Sequence, residues 1–178
     1  MLLERTSTCG YVHVYTGDGK GKTTAALGLA LRAVGAGWRV FFAQFAKATA
    51  TSELTSLDLL QGRIEVRQFG QAHFIRRGPE HADLDHAQQG LIECKAAILS
   101  GDYRLVVLDE ANVAVALGLF AVDDLVDLIA CRPEPVELVL TGRWAHPRIV
   151  ERADLVTEMR EVKHYYRRGV LARAGVEQ

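Results

Sequence analysis

Thr16-Gly17-Asp18-Gly19-Lys20-Gly21-Lys22-Thr23-Thr24 is the stretch that decides the fold. It follows the run Tyr11-Val12-His13-Val14-Tyr15 and precedes a segment with apolar or small residues at Ala26, Leu27, Leu29, Ala30, Leu31 and Val34. The first reads as a strand; the second has a helical stripe, which Gly35-Ala36-Gly37 stops. A glycine-rich turn between strand and helix is suited to a polyphosphate. Consecutive backbone N–H groups supply donors, and the helix N-terminus adds partial positive charge. Gly17, Gly19 and Gly21 allow close backbone approach and can take positive φ. Lys22 is expected to reach across the phosphates and the Thr23 hydroxyl to ligate Mg²⁺. Asp18, Lys20 and Thr24 complete the expected nucleotide-binding loop.

The loop is one residue shorter than the usual G-x-x-x-x-G-K-[ST], because Thr16 stands where that spacing has glycine. A loop of different size can hold phosphates in a different pose, so ordinary γ-phosphate hydrolysis is not assumed.

Outward from the loop, strands and helices alternate. That pattern predicts a three-layer, doubly wound α/β fold with a mainly parallel sheet, of P-loop NTPase type. Further strands are expected at 39–45, 64–69, 105–108, 137–141 and 155–161. Helices are expected at 24–34, 53–60, 81–99, 112–117, 122–130 and 147–153, with Gly90 an irregularity in the longest. Residues 70–79 read as a loop and 164–178 are left unassigned. No linker or repeat interrupts the chain, so residues 1–178 read as one domain.

Leu105-Val106-Val107-Leu108 leads into Asp109-Glu110, which places carboxylates at the carboxyl end of a buried strand. Ligands bind at that edge of open α/β sheets, and a carboxylate there can hold Mg²⁺ directly or through water. Thr141-Gly142-Arg143 ends another apolar strand at the same edge. The planar fork of Arg143 would suit a terminal phosphate.

The 178 residues carry a formal net charge of -1, 49% hydrophobic and 24% charged residues. This balance gives no electrostatic reason to expect nucleic acid or membrane binding. No apolar run approaches the ~20 residues of a bilayer span, and the first residues lack the pattern of a signal peptide; a cytoplasmic protein is expected. Cys9, Cys94 and Cys131 are far apart and in no metal-binding or redox spacing. The six histidines form no HExxH.

The ordered motifs resemble the P-loop type of corrinoid adenosyltransferases. The matching segments are 15–26, Gln44-Phe45 with Lys47, Val107-Leu108-Asp109-Glu110 with Asn112, Thr141-Gly142-Arg143, 153–159, and Val162-Lys163-His164 followed by Gly169 and Gly175. The short loop is that family's form. The resemblance implies that Co(I) of a corrinoid, cobalamin or cobyrinic acid a,c-diamide, attacks C5′ of ATP and expels triphosphate. ATP would lie reversed in the loop, so that Lys22, Thr23, Glu110 and Arg143 stabilise a leaving group. It further implies Thr23 and Glu110 as Mg²⁺ ligands, with Asp109 as a further candidate ligand. Phe69 and Phe74 fall where family members place aromatic residues against the corrinoid. Ile75 and Arg76 stand where some members have a tryptophan, and Ala48 where several have a glycine. No Asp-x-His-x-x-Gly is present, so no histidine-bound cobalt is expected. A reduced flavoprotein donor and a homodimer are implied as well. The competing readings are a P-loop kinase of a small molecule and a nucleotide-switched regulatory ATPase.

Overall fold

The computed structural model describes residues 9–46, 52–60, 62–71 and 78–177. The strands are β1 (Val12–Thr16), β2 (Val40–Phe45), β3 (Ile64–Phe69), β4 (Leu105–Asp109), β5 (Glu137–Thr141) and β6 (Leu155–Glu158). The helices are α1 (Lys22–Gly35), α2 (Ser52–Asp58), α3 (His81–Leu99), α4 (Ala111–Ala116), α5 (Val122–Cys131) and α6 (Pro147–Val150). Among the described residues the strands form one six-stranded sheet in the order β3-β2-β4-β5-β1-β6, every pair parallel. Chain order reverses beside β1, which carries the loop, and this is the kind of point where such sheets bind ligands.

Successive strand residues point to opposite faces, and that period divides the core in two. Phe41, Ala43, Phe45, Val106, Leu108, Leu138 and Leu140 pack with residues of α3 to α6. Val40, Phe42, Leu105, Val107 and Val139 pack with α1 and with Leu57 of α2. The three-layer, doubly wound expectation holds.

Gly90 leaves α3 intact, and its lack of a side chain has a cause. A Cβ there would stand 2.6 Å from Phe45 Cε1 and 2.7 Å from Phe69 Cγ. The glycine lets the helix press onto those rings. At the start of α3 the Asp83 carboxylate accepts the Glu80 N–H at 2.9 Å, one of the donors a helix N-terminus must satisfy.

Two boundaries differ from the sequence reading by three residues. β6 ends at Glu158 rather than at residue 161, because Met159 leaves the ladder to meet the glycine-rich loop. α6 is a single turn ending at Val150. The unassigned C-terminal stretch contains a 3-10 turn at Tyr165–Arg168 and a further turn at 174–177. No helix of the described residues is long and apolar enough to cross a membrane.

Candidate nucleotide and metal site

The loop from Gly17 to Gly21 is shaped by its neighbour β6 as well as by its own glycines. Gly19 N donates to Met159 O at 2.7 Å, and Met159 N donates to Thr16 O at 2.8 Å. Gly17 has φ of 93°, and a Cβ on it would stand 2.4 Å from Met159 O. A Cβ on Gly19 would meet Met159 and Arg160 backbone atoms at 2.8 Å. Gly17 demands glycine for backbone angle and packing together, and Gly19 for packing alone. Gly21, at φ 120°, is the N-cap of α1, and no side chain caps that helix. The partial positive charge of its first turn is therefore met by no acidic side chain of the helix itself.

Lys22 is buried at the root of α1. Its ammonium donates to the Gly17 and Gly19 carbonyls at 2.7 and 2.8 Å, which centres the charge inside the loop. Burial holds its pKa below the ordinary lysine value; Glu110 opposes that shift and Arg143 adds to it.

Asp109 is the hub of the opposite wall. It is 1% exposed and accepts from the hydroxyls of Thr23 and of Thr141, the latter at 2.6 Å, and from Gln44 Nε2 at 3.3 Å. Gln44 in turn accepts from Gln68 Nε2 at 3.0 Å, so a chain of polar groups runs across the ends of β3, β2 and β4. Glu110 follows with φ of 60°, and its N–H donates to Thr141 Oγ1 at 3.0 Å. That left-handed residue turns the chain into α4 while Glu110 lines the cleft. A hydroxyl and two carboxylates are hard oxygen donors of the kind Mg²⁺ takes. No group of three His, Cys, Asp or Glu suited to a metal occurs among the described residues. Mg²⁺ commonly uses only one or two carboxylates and completes its shell with phosphate and water.

Arg143 reaches the same cleft from the end of β5. Gly142, at φ 126°, sits against the start of α4, where a Cβ would stand 3.0 Å from Val113 N. Gly142 N donates to Tyr15 O at 3.1 Å, and Ala145 N donates to Thr16 Oγ1 at 3.3 Å. Thr16, the residue that replaces the usual glycine, thus ties the Arg143 turn to the foot of the loop.

The resulting cleft has a volume of about 700 Å³. The structure brings together Asp18 to Thr24, Glu110 and Arg143 as lining, with Asp109 behind Thr23. Three walls had no site role in the sequence reading. Ser52, Glu53 and Ser56 come from α2, Glu161 and His164 from the stretch after β6, and Gly175 to Glu177 from the C-terminal turn. Gln44, the one polar residue of the buried strand β2, was the available signal for the Asp109 network. Phe69 is not on the cleft; it is 7% exposed and tilted against Phe45 with ring centroids 5.6 Å apart. Phe74, Lys47, Ala48, Ile75 and Arg76 lie outside the described residues.

Residues 8–178 match the family described as ATP:corrinoid adenosyltransferase BtuR/CobO/CobP. The chain is 34% identical over 169 residues to a corrinoid adenosyltransferase of Pseudomonas aeruginosa, covering 94% of this chain and 83% of that one. It is 33% identical over 168 residues to the corrinoid adenosyltransferase of Escherichia coli K12, covering 94% and 85%. The same figures relate it to the corrinoid adenosyltransferase CobA of Salmonella typhimurium. Among solved structures, domain III of the Thermotoga maritima replication initiation protein DnaA aligns with 84% of this chain and 55% of its own. Its TM-score is 0.43 at 16% identity, and the strand order above, not this likeness, defines the fold.

Proposed function

The chain belongs to the ATP:corrinoid adenosyltransferase family, and we propose that its loop grips the part of ATP that departs. It is an enzyme that adenosylates a corrinoid at the expense of ATP. In the proposed reaction the nucleophile is Co(I) of the corrinoid substrate. A Co–C5′ bond forms, the C5′–O bond breaks, and the electron pair leaves on triphosphate.

The observation that carries this reading is the convergence on one cleft of Lys22, Arg143 and the Thr23–Asp109 pair. None of them is a base poised to deprotonate an acceptor, and a cobalt nucleophile needs none. What the chemistry needs is stabilisation of negative charge growing on the leaving oxygen, in a site already organised for it. Lys22 and Arg143 supply cationic donors, and the loop N–H groups from Gly17 to Thr24 supply the rest. Mg²⁺ held by Thr23 and Glu110 would draw charge from the triphosphate oxygens. Asp109, saturated with hydroxyl and amide donors, then serves to orient Thr23.

The corrinoid is proposed to lie beyond the carboxyl end of β3. Phe69, sunk between Phe45 and Gly90, would fix that strand end, and direct contact falls to Phe74. By the same resemblance we propose a cytoplasmic homodimer of single-domain chains, supplied with electrons by a reduced flavoprotein. The substrate is cobalamin or a precursor such as cobyrinic acid a,c-diamide.

Product analysis tests the reading. The protein is incubated with ATP, Mg²⁺ and chemically reduced cobalamin, and adenosylcobalamin with inorganic triphosphate is expected. ADP and phosphate without adenosylcobalamin would instead support the small-molecule kinase or the regulatory ATPase.

A further inference from the structure

The two lysines of the loop have different company. Lys22 is turned inward onto the Gly17 and Gly19 carbonyls. Lys20 is turned outward: its ammonium donates to Val176 O at 2.6 Å and to Glu177 Oε1 at 3.2 Å. Glu177 gathers more than this one cation. It accepts from the Tyr165 hydroxyl, from Arg173 N at 2.9 Å, and from Arg173 Nε and Nη2 at 3.3 Å each. The Arg173 guanidinium lies 4.9 Å from the centroid of the Tyr165 ring, a cation–π distance. The carboxylate thus closes residues 173–177 into a turn and fastens that turn to the loop. Gly175, Val176 and Glu177 line the same cleft as Lys22 and Arg143.

A carboxylate beside a triphosphate is repulsive unless its charge is matched. Glu177 is matched twice, by Arg173 and by Lys20. The Arg173 and Tyr165 hydrogen bonds, in that order, hold its pKa below the usual carboxylate range. The carboxylate side chain is 16% exposed and the Lys20 side chain 41%. The acid is thus the better-fixed member, and the lysine is the arm that reaches it.

We propose that Lys20 and Glu177 are positioning residues, a latch that holds residues 173–177 as one wall of the triphosphate pocket, and that the Lys20 ammonium is not itself a phosphate ligand. The inference rests on the reading that triphosphate occupies the Gly17–Thr24 loop. It makes the C-terminal turn part of the binding site for the leaving group, and it divides the labour of the Gly-Lys-Gly-Lys run. Lys22 meets the anion; Lys20 braces the wall.

A double-mutant cycle on the full chain tests this, with inorganic triphosphate and Mg²⁺ as the titrated probe. The variants are Lys20→Ala, Glu177→Gln and the pair combined, with Tyr165→Phe as a milder loss of the same hub. Each single change at Lys20 or Glu177 is expected to raise the Kd for triphosphate about three- to tenfold, the scale of one partly exposed charged contact. The combined variant should be no weaker than Lys20→Ala alone, because both remove one latch. KM for ATP should rise in parallel, while KM for cobalamin and the thermal midpoint stay near those of the parent. A merely structural role would move the midpoint and spare the KM for ATP. The proposal is overturned if Lys20→Ala weakens binding while Glu177→Gln leaves it unchanged or tightens it, or if the two losses add. Failure of the parent itself to bind triphosphate would overturn the reading beneath it, and the parent titration separates the two failures.

Discussion

Thr23 donates its hydroxyl to both carboxylate oxygens of Asp109, at 3.0 and 3.2 Å, across 86 positions of sequence. The contact joins the first turn of α1 to the end of β4, so the residue that would meet Mg²⁺ is aimed by one that need not touch it. Asp109→Asn would turn an acceptor into a donor facing the Thr23 and Thr141 hydroxyls. We expect kcat/KM for ATP to fall about 10–100-fold, the usual scale for losing a partner that orients a metal ligand. The Mg²⁺ concentration for half-maximal rate should rise as well. Thr23→Ser should keep most activity and Thr23→Ala should not. Steady-state rates over a Mg²⁺ series decide it; an unchanged Mg²⁺ dependence in Asp109→Asn would remove the orienting role.

Lys22 yields a pH prediction. Burial lowers its pKa in the folded protein from the ordinary lysine value of 10.5, so the proton is lost at lower pH than in the unfolded chain. Between the two values the unfolded state binds more protons, and stability from this group rises with pH across that window. Binding runs the other way, because the proposed grip on triphosphate uses the ammonium. Affinity for ATP should decline on the alkaline side at a pH below 10.5, measured as kcat/KM against pH. Lys22→Arg should move that limb upward because guanidinium keeps its charge. A limb in the same place in both proteins would assign it to another group.

Two glycines in helices should respond oppositely to alanine. A Cβ at Gly90 meets Phe45 and Phe69 within 3 Å, whereas one at Gly28 in α1 meets nothing within 4 Å. Gly90→Ala should destabilise by about 1–3 kcal/mol through overpacking. Gly28→Ala should stabilise by about 0.4–1 kcal/mol by restricting the unfolded chain. For a domain of this size each kcal/mol moves the thermal midpoint by roughly 2–4 °C. Calorimetry reads both signs, and a neutral Gly90→Ala would mean the rings retreat at no cost.

Gly17→Ala combines a left-handed φ with a Cβ 2.4 Å from a backbone oxygen that cannot swing aside. The loop must then separate from Met159. Circular dichroism should retain the α/β signature, while binding of inorganic triphosphate, followed by calorimetry, drops below detection. Retained binding would show that the bracing by β6 is dispensable.

The architecture was legible in the sequence because the central strands β2, β4 and β5 are largely apolar runs and the loop carries its own chemistry. The short P-loop, Asp109-Glu110 and Arg143 could be set at one edge since parallel strands place their carboxyl ends together. Bonds between distant residues could not be read that way. Periodicity says that Asp109 ends a strand, not that Thr23, Thr141 and Gln44 all donate to it. Gly90 looked like a flaw in a helix until the rings beneath it were known. The end of β6 was overrun by three residues because Met159 trades ladder pairing for the loop, a tertiary preference with no local mark. The C-terminal turn was illegible for the same reason. Its attachment to the loop comes from Glu177 meeting Lys20, 157 positions earlier.

The bond from Gly19 N to Met159 O also fixes a timetable. During synthesis the glycine-rich loop emerges well before the segment that props it. A nascent chain halted before residue 159 carries every atom of the loop and none of its support. Nucleotide retention should therefore arrive late and abruptly as translation proceeds. The loop is completed by a segment made long after it.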